Sequence, residues 1–211
     1  VLSSFVAIIL LGIILVVFFQ SFESFSKYGL KFLVTSEWNP VKDEYGAFTA
    51  IYGTLITSFL SLLITIPLGV GTAIFITEDF VPKVAREIIG SFVELIAAIP
   101  SVVLGLWAIF VMEPFFRTFF IFLHNFIGWI PLFSTEPTGR NSLLAILILV
   151  VMLLPIVTSI ARDSLNQVPK KLRNAAYGIG ASRWKTIFSV ILPAALSGIM
   201  AGVLLALGRA M

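Results

Sequence analysis

Six stretches of this chain lack charged side chains and are dominated by apolar ones: residues 1–22, 45–77, 95–112, 118–135, 141–161 and 186–208. Crossing about 30 Å of hydrocarbon takes roughly 20 residues of helix, with every backbone group bonded internally. Five of the six read as membrane spans. The fourth carries His124, Asn125, Gly128 and Pro131 among Phe119, Phe120, Phe122, Phe126, Trp129 and Phe133, an interfacial composition. It is expected to be re-entrant or surface-lying between the third and fourth spans. The pattern therefore predicts an all-α, polytopic transmembrane helix bundle. Its parts are an N-terminal transmembrane helix over 1–22, an external loop over 23–44, and a membrane core over 45–211 with a cytoplasmic loop at 162–185.

The first run is not read as a cleaved signal peptide, because no basic flank precedes it and Ser21-Phe22-Glu23-Ser24 is a poor small-x-small site. The chain begins at Val1 and ends at Met211 inside an apolar run, and so reads as a piece of a longer protein. Orientation follows from charge. Residues 162–185 hold Arg162, Lys170, Lys171, Arg173, Arg183 and Lys185 against one acid, Asp163, and are expected in the cytoplasm. The loop 78–87, with Lys83 and Arg86, then falls on the same side.

Composition narrows the chemistry. Apolar residues make up 59%, charged residues 12%, and mean hydropathy is +1.07, far from the usual soluble mix. A net charge of +3 is scattered over loops and gives no stripe for a polyanion. With no cysteine, one histidine and no H-E-x-x-H run, the parts of an intramembrane hydrolase or a metal centre are missing. Neither G-x-x-x-x-G-K-[ST] nor G-x-G-x-x-G occurs in a nucleotide-binding setting, so the chain is not expected to hydrolyse ATP itself or to need a cofactor. A passive channel stays compatible with this composition.

The cytoplasmic loop contains Asn174-Ala175-Ala176-Tyr177-Gly178-Ile179-Gly180-Ala181, and Val190-Ile191-Leu192-Pro193 follows nine residues after Gly180. Small residues at this spacing offer a low-relief knob that another protein can cup. A basic loop lying on anionic lipid accounts for the cations but not for the spacing. The stretch resembles the coupling loop of ABC-transporter permeases, Glu-Ala-Ala, three residues, Gly, nine residues, Ile-x-Leu-Pro. Asn174 departs from the usual Glu, which removes a possible salt bridge to an ATPase, and Val190 departs conservatively from Ile. The resemblance implies that Asn174, Ala175, Ala176, Gly180, Ala181 and Pro193 serve ATPase coupling. Gly180 in particular is expected to accept a bulky side chain without loss of folding while ceasing to dock.

The resemblance extends to phosphate-uptake permeases of the PstC type. It is carried by Glu37-Trp38-Asn39-Pro40, Tyr52-Gly53-Thr54-Leu55, the run from Glu94 through Ile99-Pro100-Ser101 to Gly105-Leu106-Trp107, and Ala206-Leu207-Gly208-Arg209-Ala210-Met211. The sister permease type, PstA, lacks the Glu-Trp-Asn-Pro run and matches less well. The resemblance implies a MetI-like transmembrane fold, with a Gly-Glu pair and a final helix after Met211. It also implies partners: a PstB-type ATPase subunit, a PstA-type second permease, a PstS-type external phosphate-binding protein, inorganic phosphate and the lipid bilayer. Transport of another small oxyanion or solute remains the alternative.

Three residues mark a candidate substrate path: Arg209, Glu94 and Ser101. On a helical wheel Arg209 lies near the small-residue stripe Ala194, Gly198, Gly202, Ala206, and is expected inside the bundle. There a planar guanidinium suits a tetrahedral oxyanion, although it could instead reach the interface or pair with a carboxylate beyond Met211. Glu94 is either a structural residue near the cytoplasmic headgroups or a path residue. Pro100 and Ser101, expected mid-span, and Pro67 with Gly69 and Gly71, are either hinges or close-packing sites.

Overall fold

The computed structural model describes residues 2–78, 80–131, 134 and 141–211, and it is helical almost throughout. The chain forms two compact units, residues 1–53 and 54–211. In the first, helix α1 (Leu2–Tyr28) is followed by the short α2 (Lys31–Val34) and a two-stranded hairpin of β1 (Trp38–Asn39) and β2 (Glu44–Tyr45). The strands are antiparallel, with Trp38 opposite Tyr45 and Asn39 opposite Glu44. The Asn39 side chain closes the turn by accepting from the Val41 and Lys42 amides at 3.1 and 3.3 Å. Lys27 and Tyr28 both donate to Asp43 and hold its carboxyl below the usual carboxylate range. The helix outruns the charge-free stretch 1–22 because Glu23 and Lys27 are good helix formers, and a charge does not end a helix.

The second unit is built around α7 (Ser142–Asn166), to which α3 (Phe48–Thr77), α4 (Lys83–Ala98), α5 (Ser101–Trp107) and α10 (Leu192–Ala210) pack. Between α7 and α10 lie α8 (Lys170–Gly178) and α9 (Arg183–Thr186). The Asn141 side chain caps α7 by accepting from the Leu144 amide at 2.9 Å. Among the described residues, five helices are long and apolar enough to cross a membrane: Ser4–Tyr28, Phe48–Thr77, Ser101–Ile127, Ser142–Asn166 and Arg183–Ala210.

The third of these differs from the expected span 95–112. Pro100 lacks an amide hydrogen and forces Ile99 into an extended conformation (ψ 126°), so α4 ends at Ala98 and a new helix starts at Ser101. That helix runs on through a π-helical turn at Ala108–Met112 into α6 (Glu113–Ile127). Residues 118–127, expected to lie apart at the interface, therefore continue the third long helix. Leu132, Phe133 and Thr135 of the same expected segment lie outside the described residues. A second π-helical turn, Ile187–Ile191, joins α9 to α10. Each π turn sits just before a proline, Pro114 or Pro193. The wider turn makes room for the ring at the carbonyl one turn earlier, and the helix continues.

Lipid tails are as apolar as leucine, so close packing and hydrogen bonds must hold such helices together. The α7–α10 contact depends on two glycines. A Cβ on Gly198 would lie 2.2 Å from Ser164 Oγ, and one on Gly202 would lie 2.9 Å from Ile160 Cβ. On α3 a stripe of small hydroxyl residues, Ser58, Ser61 and Thr65, is fully buried, and Ser58 Oγ donates to the Ala210 carbonyl at 3.1 Å. A core of Ala73, Ile74, Leu165, Ile187, Ile191 and Ile199 closes the end of the bundle next to α8.

Candidate functional site

The segment expected to couple to an ATPase is a short helix and its exit. Pro169 starts α8, where a missing amide hydrogen costs nothing, and Gly180 ends it. The Gly180 amide donates to the Tyr177 carbonyl at 2.9 Å and the Ala181 amide to the Ala176 carbonyl at 3.0 Å, the paired bonds of a Schellman cap. This cap needs a left-handed residue, and Gly180 has φ +81°. The sequence expectation for Gly180 is thereby corrected. Space around it is open, but any L side chain there strains the backbone, so a bulky substitution perturbs the helix end as well as any docked protein. Gly180→Ala should loosen the last turn of α8 by about 1 kcal/mol. Amide exchange over residues 175–181 checks this, and protection equal to wild type would remove the capping role.

Of the other residues expected to couple, Asn174 and Ala175 are exposed on α8, Ala176 is buried beneath it, Ala181 is half-buried and Pro193 is exposed in the first turn of α10. Ala176 is the one among them that is fully buried in this chain's own packing. The exposed set includes Ile179, which is 87% exposed and stands between Gly178 and Gly180. Sequence reasoning passed over it, although an isoleucine flanked by glycines in a basic loop is itself a signal of an apolar knob. Ser182 caps α9 through its side chain, which accepts from the Lys185 amide.

A buried contact that no local pattern reveals holds α8 in place. Arg173 donates one arm of its guanidinium to Glu78 and the other to the Leu165 carbonyl at 2.8 Å. Glu78 follows the end of α3, 95 residues from its partner, and its side chain is 7% exposed. The sequence carried one hint: both residues fall in loops assigned to the same side of the membrane.

The candidate path residues are not brought together. Glu94 lies on α4 and faces Arg162 of α7 at 3.8 Å, on the wall of a cavity of about 460 Å³ that also exposes Lys83, Arg86, Glu87 and Asn166. Ser101 is exposed at the start of α5, beside the break and not in mid-span. Arg209 is exposed in the last turn of α10. The buried face of α10 is Ala195, Ile199, Gly202 and Ala206, so Ala194 points away and the expected stripe is rotated. Arg209 sits about 50° from the centre of that face at 100° per residue, past the point where this chain covers it. It lies on the packed side of α10, and its exposure is that of the helix's last turn.

Comparison with known proteins finds a family described as "Binding-protein-dependent transport system inner membrane component", which matches residues 65–211. The phosphate transport system permease protein PstC of Mesorhizobium japonicum is 42% identical over 211 residues, covering 98% of this chain and 64% of the relative. PstC of Pasteurella multocida is 39% identical, covering 98% of this chain and 66% of the relative. A probable ABC transporter permease of Bacillus subtilis, YqgH, is 36% identical, covering 90% and 58%. The chain spans just under two thirds of the length of these relatives. An inward-facing structure of the MetNI methionine ABC transporter superposes with a TM-score of 0.57 at 21% identity, over 78% of this chain and 68% of that one. At that identity the likeness establishes the fold.

Proposed function

Because the chain belongs to the family of binding-protein-dependent transport system inner membrane components, we propose that it is the permease subunit of an ATP-driven importer that carries inorganic phosphate. The observation that carries this reading is the reach of the similarity: it runs over 98% of the chain to permeases named for phosphate, well beyond the coupling segment. Hydrolysis of ATP belongs to a separate PstB-type subunit seated on the face of α8. Ile179, Ala175 and the Gly180 turn provide a low, apolar surface suited to a cleft. A PstA-type second permease packs alongside, and a PstS-type protein delivers phosphate from outside. The anion path lies along the boundary between the two permeases, with Arg209 as its bidentate partner. Glu94 and Ser101 serve the cytoplasmic part of the same path.

The test is uptake of radiolabelled phosphate by cells lacking their own high-affinity system, given the full-length protein with its three partner types. Uptake should be competed by unlabelled phosphate and not by sulfate. It should also disappear when the ATPase partner loses its nucleotide-binding lysine. Competition by sulfate would transfer the reading to another oxyanion, and uptake without ATP hydrolysis would make the protein a channel.

A further inference from the structure

We propose that the turn after α3 is a transmission clamp: Glu78 grips Arg173 of α8 while Phe80 grips Trp184 and Arg183 of α9, so that movement of the coupling segment is delivered to α3. The inference rests on the importer reading above and concerns how that segment acts within this chain. The grip is double. Arg173 is held at once by the Glu78 carboxylate and by the Leu165 carbonyl near the end of α7, and its side chain is 17% exposed. The Phe80 ring lies 5.0 Å from that of Trp184, and the Arg183 guanidinium sits 5.6 Å over the same Phe80 ring. One turn therefore takes hold of the segment on both sides of the Gly180 cap.

The local chemistry of α8 makes this hold consequential. Nine residues are too few for a stable isolated helix, and Lys170 and Lys171 place positive charge at the positive end of its dipole. Its only buried residue is Ala176. The helix consequently depends on its tertiary partners for both order and position. A carboxylate and a guanidinium withdrawn from water resist separation far more than an apolar contact, because parting them leaves each charge buried and unpaired. The segment can thus pull α3 as well as push it, whereas packing alone transmits only compression. Glu78 and Phe80 are positioning residues, since Glu78 is buried, Phe80 is half-buried, and both act through α8 and α9.

Two variants test the clamp from its two sides, Glu78→Gln and Phe80→Leu, with Arg173→Lys as the conservative change that keeps charge toward Glu78. In the full-length protein in lipid nanodiscs, amide exchange over α8 should become at least about tenfold faster in Glu78→Gln, with α7 unchanged. In the assembled transporter, phosphate carried per ATP hydrolysed should fall about tenfold in both variants at unchanged recovery of the ATPase subunit, and Arg173→Lys should keep most of the ratio. A purely structural contact would lower abundance, hydrolysis and uptake together and leave the ratio at the wild-type value. That result overturns the clamp. So does wild-type exchange over α8 in Glu78→Gln, a readout that needs no transport and stands even if wild type shows no ATP-driven phosphate uptake, the outcome that defeats the importer reading instead.

Discussion

Gly202→Leu should remove most of the folded protein from the membrane. The first atom of any side chain at this position would stand 2.9 Å from both Cβ and Cγ2 of Ile160, atoms fixed next to the α7 backbone and unable to swing aside. Relief requires α10 to move outward along its length, which separates Gly198 from Ser164 and uncovers Ala206 and Ile199 as well. Overpacking of this kind costs about 1 to 3 kcal/mol for a few methylenes and more when helices must part, against a total stability of about 5 to 15 kcal/mol. Membrane abundance and the fraction that runs as a single species in detergent measure the effect. Gly105→Leu is the matched control, since nothing lies within 4 Å of a Cβ there. Equal behaviour of the two variants would mean that α7 and α10 are not held by close approach at Gly202.

Arg209→Lys should cut phosphate uptake at least about tenfold at matched abundance, the scale expected when a bidentate, charge-assisted contact is reduced to a point charge. Folding should be indifferent to the change, because Arg209 is exposed in the last turn of α10 and the neighbouring Ala210 carbonyl, not its side chain, is what Ser58 holds. The lysine variant separates two roles that share a charge requirement. A simple ion pair across a subunit boundary tolerates lysine, whereas a fork gripping two oxygens of phosphate does not. Uptake near the wild-type rate would take Arg209 out of the substrate path. In that event the candidate path loses its only guanidinium, and the polar cavity at Glu94 and Arg162 becomes the place to look for it.

The class of fold is legible in the hydrophobic runs, because the cost of unsatisfied backbone groups in lipid admits little besides a helix bundle. The small residues and glycine of the segment proposed to couple are a local pattern and equally legible: Asn174 to Ala181 lie within a single helix and its cap. Absence of charge set the expected ends of the third span, and there it failed, since Glu113 and Arg117 do not interrupt a helix while Pro100 does. On α10 the small-residue pattern likewise contains Gly198, Gly202 and Ala206, which do pack, but its face is rotated by Ala194. A periodic pattern fixes which residues share a side; which side is covered depends on where the neighbouring helices end. The direction of that face, set by Ala195 and Ile199 as well as Gly202, comes from the packing of α10 on α7. That Glu78 meets Arg173 across 95 residues follows from the tertiary packing alone, because a contact between a turn and a distant helix has no period, and its partner is chosen by the packing of α3 against α7.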